Sequence, residues 1–514
     1  MSKGSIAEPP ERGTVQETRP AIQRGNAAPS GPLGTLFNWG TATYNFLDGR
    51  LGIGMIYRAT AAHPIPRSVN WWYVFGSATL FAFTFQVVTG IFLAFAYVPS
   101  PDHAYQSLSW ITHKELFGNV IRGIHYWGAS AMVLLIFIHM TAHYLTGSYK
   151  YPRELQWLSG AILLFCTLVM AFTGQLLRWN QDAYWAVVVG AEQAARTPFI
   201  GSWVAQLLTA GPVVGGNTLT RFYAIHMLLV PGLMFGLIGM HLYLVIYKGI
   251  SEWPVPGEPV DPATYWENYQ RILHEDGEPF FPAGTAKDAF MGFLAGAVVV
   301  GLAITVGAAA LGAQANPIAP ANPRPDWYLI WYFALLALIP PASENFFIIL
   351  FPLFGFLILL LMPLANKGER HYSRRPWAIA VVIFAASATG LLVWYGYQSP
   401  WSPVFINDVT IPSVPAQAMR GLNATQLAGA HLLHTEGCMA CHMIDGVGGQ
   451  RGPNLSAIGS VLTRNELTWR IMAGGNNMPS YGNTMTNKQL NEILAYLQSR
   501  TAGSAVIPQS GSHQ

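Results

Sequence analysis

Charged side chains are scarce in this chain: Asp, Glu, Lys and Arg make up 10% of its 514 residues, against roughly 25% in an ordinary soluble domain. A membrane protein is the leading class on that ground. The 28 Lys and Arg nearly cancel the 25 Asp and Glu, for a formal charge of +3, so no nucleic-acid partner is expected. Residues 1–33 lack apolar periodicity and the charged-then-apolar layout of a signal peptide, and are expected to form a disordered cytoplasmic arm. Cysteine occurs only at Cys166, Cys438 and Cys441. With only three cysteines the chain has no second Cys-His cluster, beyond the one at Cys438 to His442, that could hold an iron–sulfur centre.

Apolar residues are what the chain has in excess. They reach 52% of the sequence, the mean hydropathy is +0.31, and they gather in seven segments long enough to cross a bilayer, which takes about 20 residues. The segments cover 71–98, 119–147, 155–177, 219–247, 288–312, 344–364 and 377–396. The expected fold class is an all-α membrane protein: a four-helix bundle, three further transmembrane helices and a small all-α C-terminal domain. An interfacial helix is expected over 34–60. Lys and Arg concentrate before the first span (Arg58, Arg67) and between the second and third (Lys150, Arg153). They recur between the fourth and fifth (Lys248, Arg271, Lys287) and the sixth and seventh (Lys367, Arg370, Arg374, Arg375). By the positive-inside rule these loops are cytoplasmic. Seven spans then carry the C-terminal part to the opposite side. The expected organisation is an arm 1–33, a four-span unit 34–250, a linker 251–287, a three-span unit 288–397, a Pro-containing connector 398–420, a soluble domain 421–502 and a tail 503–514.

Histidine placement is the strongest chemical signal. The second span carries His125 and His139, fourteen residues apart, and the fourth carries His226 and His241, fifteen apart. At about 1.5 Å rise per residue each pair is separated by roughly 21 Å and stays within about 60° of one face. Ionisable groups at membrane depth are costly, and neutral imidazole is a good axial ligand for haem iron. Both helices run the same way, so His125 pairs with His226 and His139 with His241, giving two non-covalent b-type haems near opposite surfaces. A lone membrane histidine could instead simply bond a neighbouring helix; two matched pairs argue for haem. His143 has no matching partner on the fourth span. Gly76 and Gly90 on the first span and Gly160 and Gly174 on the third repeat the fourteen-residue spacing, as expected where a planar ring approaches the backbone; close helix packing is the other reading. Arg122, Arg178, Arg221 and Arg67 lie near span ends, suited to pair with haem propionates or to snorkel.

Cys438, Met439, Ala440, Cys441 and His442 form a haem-attachment signature. The two thiols would carry a covalent c-type haem and His442 would be the proximal ligand. His431 and His434 lack the spacing of a zinc site. Covalent haem attachment normally occurs outside the cytoplasmic membrane, on the side that the span count assigns to this domain.

Residues 35–397 resemble the cytochrome b subunit of cytochrome bc and bf complexes. The fifteen-residue histidine spacing, Tyr151 to Leu155 and Leu219-Thr220-Arg221-Phe222-Tyr223 look most like the bf branch, although the part corresponding to its separate three-span subunit is continuous here. Pro325-Asp326-Trp327-Tyr328 resembles the family's Pro-Glu-Trp-Tyr motif at the quinol-oxidising pocket, with Asp in place of Glu. The resemblance implies that Asp326 accepts the quinol proton, beside Pro325, Trp327 and Tyr328. Two departures stand out. Arg178-Trp179-Asn180-Gln181 replaces the family's Pro-Trp-Gly/Asp-Gln, and Val74 occupies the position of the cysteine that attaches an extra haem in the bf branch. Residues 421–502 resemble small soluble cytochromes c, which implies Met478 as second iron ligand, with Met472 and Met485 as competitors. Gly452-Pro453-Asn454-Leu455 is similar to the loop beside the proximal histidine, and 487–499 to the closing helix.

The resemblance implies a bacterial quinol:cytochrome c oxidoreductase in the cytoplasmic membrane, translocating protons. Expected partners are a separate Rieske iron–sulfur protein, membrane quinol, a c-type cytochrome acceptor and a second copy in a homodimeric multi-subunit complex. A non-catalytic electron conduit between a dehydrogenase and the c-type haem is the rival reading, and a redox sensor or anchor a third. The Pro325 to Tyr328 motif discriminates between the first two.

Overall fold

The computed structural model describes residues 32–503, apart from 212–213, 317–323, 340, 366–367, 399–410, 450–451, 474–477, 479–480 and 482–484. The expected arm and tail, most of the connector and the neighbours of Met478 lie largely outside them. In the N-terminal unit, which ends at His63, the expected interfacial helix is two helices, α1 (Pro32–Leu51) and α2 (Ile53–Thr60), broken at Gly52, whose φ of +64° is left-handed. Trp39, Phe46, Leu51, Met55 and Ile56 are exposed there.

Among the described residues, seven helices are long and apolar enough to span a membrane. They are α3 (Phe75–Ala96, extended to Trp71 by a 3-10 turn), α5 (Gly118–Leu145), α6 (Glu154–Leu176), α9 (Gly216–Ala224) continued as α10 (Val230–Lys248), α12 (Phe280–Thr305), α14 (Pro341–Ala365) and α15 (Pro376–Gln398). The fifth span starts and ends earlier than hydropathy suggested. Gly307, at φ +82°, lies just beyond its end at Thr305, while its start at Phe280, ahead of Lys287 and Asp288, is kinked at Phe281, whose φ of −92° and ψ of 131° are not helical. Shorter helices follow or link the spans: α4 (Ala104–His113), α7 (Gln181–Ala195), α8 (Gly201–Thr209), α11 (Tyr265–Asp276) and α13 (Trp327–Leu338). Hydropathy alone does not reveal them.

α3, α5, α6 and α9–α10 form the bundle, with α12 against α3 and α5 and α14 against α6. At its centre Ala82, Phe83, Met132, Leu135, Cys166 and Met234 pack together. Two prolines interrupt α14, at Pro352 and Pro363, and each leaves the carbonyl four residues earlier without its amide partner. Neighbouring aromatics supply the missing donors. The Tyr332 hydroxyl donates to Ile348 O at 3.2 Å and Trp157 Nε1 to Leu359 O at 2.7 Å.

At one end of the bundle buried cations close the helices. Arg375 Nη2 donates to Tyr144 O and Leu145 O at 2.9 and 2.6 Å, at the C-terminus of α5. Arg153 donates to Lys248 O and Gly249 O at 3.3 and 3.1 Å, at the C-terminus of α10. Both satisfy orphan carbonyls at the negative pole of a helix. Lys150 bonds the carbonyl of Glu369, and burial lowers its ammonium to about 8.

The C-terminal domain is small and helical: α16 (Ala424–Thr435), α17 (Arg464–Ala473) and α18 (Asn487–Ser499). α16 packs on α18, and both open with reciprocal capping boxes, Asn423 with Gln426 and Thr486 with Gln489. Leu433, Met439, Ile444, Ile493 and Leu494 make its core.

Candidate haem and quinol sites

The histidines meet as paired. The rings of His125 on α5 and His226 on the α9–α10 span have centroids 6.4 Å apart. Two metal–imidazole bonds of about 2.0–2.1 Å, each with about 1.1 Å from nitrogen to ring centre, require roughly 6.2–6.4 Å, so one iron fits between them. His139 and His241 are likewise electrostatic neighbours. The odd fifteen-residue spacing on the fourth span has a structural cause. Ile225–Leu229 is a π turn, in which Val230 N donates to Ile225 O. A π turn absorbs one extra residue, so fifteen residues here span what fourteen do on α5. Pro231, which lacks an amide hydrogen, follows immediately.

The glycines sit at matching heights, and each faces an imidazole. A Cβ at Gly174 would lie 2.6 Å from His226 Cε1, at Gly76 2.8 Å from His139, at Gly90 3.3 Å from His125 and at Gly160 3.5 Å from His241. At Gly174 and Gly76 a methyl group would collide with the ring, at Gly90 it would be tight and at Gly160 it would make ordinary contact.

Three ring nitrogens have hydroxyl partners. His125 Nδ1 lies 2.9 Å from Thr89 Oγ1, His226 Nδ1 3.1 Å from Thr173 Oγ1 and His241 Nδ1 2.8 Å from Ser159 Oγ. Each hydroxyl spends its one proton on its own helix: Thr89 on Phe85 O, Thr173 on Val169 O and Ser159 on Gln156 O. With the proton on that carbonyl the hydroxyl accepts from the imidazole, the tautomer that carries its proton on Nδ1 and leaves Nε2 bare for a metal. The exception is His139, whose Nδ1 is buried without a hydrogen-bond partner.

A cavity of about 380 Å³ runs from Gly90, His125, Gly174 and His226 to Asp326, Trp327 and Tyr328. Asp326 is part of its lining. Arg178 Nη2 approaches its carboxylate at 3.9 Å and the Tyr328 hydroxyl donates to it at 3.4 Å. The amide of Gln175, turned with its oxygen toward Arg178, donates to Asp326 Oδ2 at 3.2 Å. The indole of Trp327 donates to Ser130 Oγ on α5 at 3.2 Å, pinning the segment after Pro325 to the bundle. Arg178 thus has a partner in the altered motif that the sequence reading left open. The corner itself, with Trp179 at φ +48°, is braced by Asn180 Nδ2 donating to Leu311 O at 2.7 Å. Beside it, burial raises the Asp182 carboxyl, and the charge of Asp326 adds to this.

Arg122 is buried and donates to Thr112 Oγ1 and Ala309 O at 3.2 and 2.5 Å. No carboxylate pairs with it among the described residues. It lines the cavity beside His125, where an anionic substituent of a bound group would meet it. Arg221 donates to Leu207 O, and the exposed Arg67 pairs with Asp276 and Glu278. Val74 is buried.

In the C-terminal domain His442 Nδ1 donates to Pro453 O at 2.8 Å, again leaving Nε2 free. Burial holds this imidazole below the ordinary histidine range. A Cβ at Gly452 would come within 2.5 Å of His442 Cε1, so the Gly452-Pro453 loop does pack beside the histidine. Cys438 and Cys441 form no disulfide among the described residues. Met478 and Met472 pack at the edge of the core, and Met485 is buried within it.

Sequence reasoning found the imidazoles but not their hydroxyl partners. A signal existed: Thr89-Gly90, Thr173-Gly174 and Ser159-Gly160 repeat one dipeptide, which Phe75-Gly76 breaks. Arg178 and Gln175 near Asp326 carried no such mark.

A four-helix membrane bundle with facing imidazole pairs, joined to a domain with a Cys-Met-Ala-Cys-His segment, defines a membrane cytochrome of the electron-transport class. Residues 60–249 match the family model Cytochrome b/b6/petB and 314–411 match Cytochrome b(C-terminal)/b6/petD. Residues 424–497 match Cytochrome C oxidase, cbb3-type, subunit III. The cytochrome b6 of Heliobacterium mobile is 43% identical over 210 residues, 40% of this chain and 99% of that protein. The menaquinol:cytochrome c reductase cytochrome b subunit of Bacillus subtilis is 39% identical over 216 residues, 40% of this chain and 96% of that one. The cytochrome bc complex cytochrome b subunit of Chlorobaculum thiosulfatiphilum is 35% identical over 312 residues, 60% and 69% of the respective chains. A solved hyperthermophilic respiratory Complex III chain superposes with a TM-score of 0.59 at 27% identity, covering 70% of this chain and 92% of that one. The chain belongs to the cytochrome b family and carries a cytochrome c domain at its C-terminal end. Both families imply haem, and the chain is a multi-pass membrane protein.

Proposed function

We propose that the chain is the catalytic cytochrome b subunit of a bacterial quinol:cytochrome c oxidoreductase. The observation that carries this reading is the single cavity joining His125 and His226 to Asp326 and Tyr328. His125 with His226 and His139 with His241 would hold two b-type haems, beside Gly90, Gly174, Gly76 and Gly160, and Arg122 would pair with a propionate. Cys438, Cys441, His442 and Met478 would hold one covalent c-type haem. When bound, these groups supply one-electron transfer across the membrane and, through a separate Rieske protein, outward to the c-type haem and a cytochrome acceptor.

The protein's own part is proton handling and orientation. Quinol enters the cavity with a hydroxyl toward Asp326. The carboxylate, held by Arg178 and Gln175, accepts that proton as the quinol is oxidised. Tyr328 orients the carboxylate, and Pro325 and Trp327 hold the segment against α5. Aspartate is one methylene shorter than glutamate, so quinol sits closer to α13 or a water bridges the gap. The loops bearing Lys150, Arg153, Arg370 and Arg375 are cytoplasmic by the positive-inside rule, with the cytochrome c domain of 421–502 on the opposite side of the bacterial inner membrane. Proton uptake and release on opposite sides would then contribute to translocation, in a homodimeric multi-subunit complex.

The test is Asp326→Asn in the purified complex. Quinol oxidation is expected to fall by about 10²–10⁴-fold, the usual range for a lost proton acceptor, with all haems retained. An unchanged rate, or electron transfer from quinol to the c-type haem without an iron–sulfur subunit, defeats this mechanism and favours a conduit.

A further inference from the structure

Of the four imidazoles proposed as ligands, three pair with a hydroxyl through Nδ1, and the fourth does not. Both members of the His125/His226 pair are so bonded, to Thr89 at 2.9 Å and Thr173 at 3.1 Å. In the other pair only His241 is, to Ser159 at 2.8 Å, whereas His139 Nδ1 is buried and unpartnered. The position that supplies the hydroxyl, one residue before the cradling glycine, is occupied by phenylalanine at Phe75. Each hydroxyl also has a carbonyl of its own helix to donate to, at 2.5 Å for Thr89, 2.8 Å for Thr173 and 2.9 Å for Ser159, which leaves its oxygen to accept from the ring, and the backbone of Gln86, Met170 and Gln156 also bonds these three imidazoles.

An imidazole that donates through Nδ1–H gains basicity at Nε2 and becomes a stronger donor to iron. Stronger donation favours ferric over ferrous iron and lowers the reduction potential; hydrogen bonding around the ligands is among the protein's means of setting it. At membrane depth no water competes for Nδ1–H, so the presence or absence of a hydroxyl is felt at close to full strength. Two such bonds act on one site and one on the other.

We propose that Thr89, Thr173 and Ser159 are positioning residues that order the two b-haem potentials, making the haem between His125 and His226 the stronger reductant. An electron then moves downhill from that ferrous iron to the ferric iron between His139 and His241. No further reactant is needed, since one iron is oxidised as the other is reduced. Electron flow away from the Asp326 cavity is thereby written into two threonines and one phenylalanine. This rests on the ligand assignment made above.

The test is redox titration of the purified full complex, resolving the two b-type components. Thr89→Val and Thr173→Val, nearly isosteric, are each expected to raise the midpoint of the same component. The expected loss is about tenfold in the equilibrium constant for transfer to the other haem, the lower end of what partners of ligating histidines contribute, or about 59 mV for one electron. Thr89→Ser keeps the acceptor and should titrate like the parent. Ser159→Ala should raise the other component instead. Unchanged midpoints in both valine variants, with bis-imidazole spectra intact, overturn the proposal, as does a shift in Thr89→Ser equal to that in Thr89→Val. Should a valine variant lose its haem, Ser159→Ala decides by itself, because it removes a single oxygen. A complex with fewer than two b-type haems before any substitution would instead defeat the ligand assignment.

Discussion

The membrane bundle and the C-terminal domain assemble their proposed iron sites from opposite kinds of information. In the C-terminal domain both thiols and the proximal imidazole come from five consecutive residues, and the acceptor that fixes the ring, Pro453 O, is eleven residues away. In the bundle the two imidazoles of a pair come from different helices, their hydroxyl partners from two more, and the π turn at Ile225–Leu229 brings the register together. The first site draws its thiols and proximal ligand from one short segment, with the proposed Met478 as its distant exception. The second exists only when four helices pack. Retention of a haem should therefore respond quite differently to damage in the two regions.

The largest effect separates them by ligand removal. His226→Ala takes away one of two axial ligands and leaves His125 facing a hole, so one b-type haem should be lost entirely while the c-type haem stays. Cys441→Ala should abolish full covalent attachment while both b-type haems remain. Pyridine haemochrome spectra with haem staining of a denaturing gel read both outcomes. Loss of the c-type haem in His226→Ala would break the comparison, because it would make the two sites a single folding unit.

How far the sequence discloses each region follows the same division. Seven spans, the histidine pairs, the glycine cradles and the closing helix Asn487–Ser499 are legible because they depend on spacing along one helix. The interhelical partners are not. Nothing in the local sequence around Arg178 indicates Asp326, nor does Pro363 announce that Trp157 will satisfy Leu359 O. The short helices α7 and α8 were invisible to hydropathy because they are neither long nor uniformly apolar. The fifteen-residue spacing was visible, yet its compensation by a π turn beside Pro231 needed the backbone.

A middle-sized effect probes the local region. Asp445 accepts two bonds from Arg500 Nη2, at 2.7 and 2.8 Å, with both side chains buried. The pair ties the segment just after His442 to the end of α18. Asp445→Asn strands the guanidinium in a buried site, which typically costs about 3–5 kcal/mol. For so small a domain that is a large share of a total stability of about 5–15 kcal/mol. Thermal bleaching of the c-type absorbance should move to markedly lower temperature while the b-type bands hold. If both shift together, the C-terminal domain is not an independent unit.

The finest contrast lies within the bundle. Gly174→Ala and Gly160→Ala add the same methyl group on the same helix, yet the first meets His226 Cε1 at 2.6 Å and the second His241 Cε1 at 3.5 Å. The former distance is shorter than side chains tolerate, whereas the latter is ordinary contact. Overpacking of this kind costs about 1–3 kcal/mol, and it falls on an imidazole whose Nδ1 is already fixed by Thr173. The ring must tilt or leave its hydroxyl. Gly174→Ala should weaken or distort one b-type haem, visible as a displaced low-spin signal in electron paramagnetic resonance, while Gly160→Ala stays close to the parent. Equal effects at the two positions would mean that the glycines serve helix packing in general and not the histidines they face.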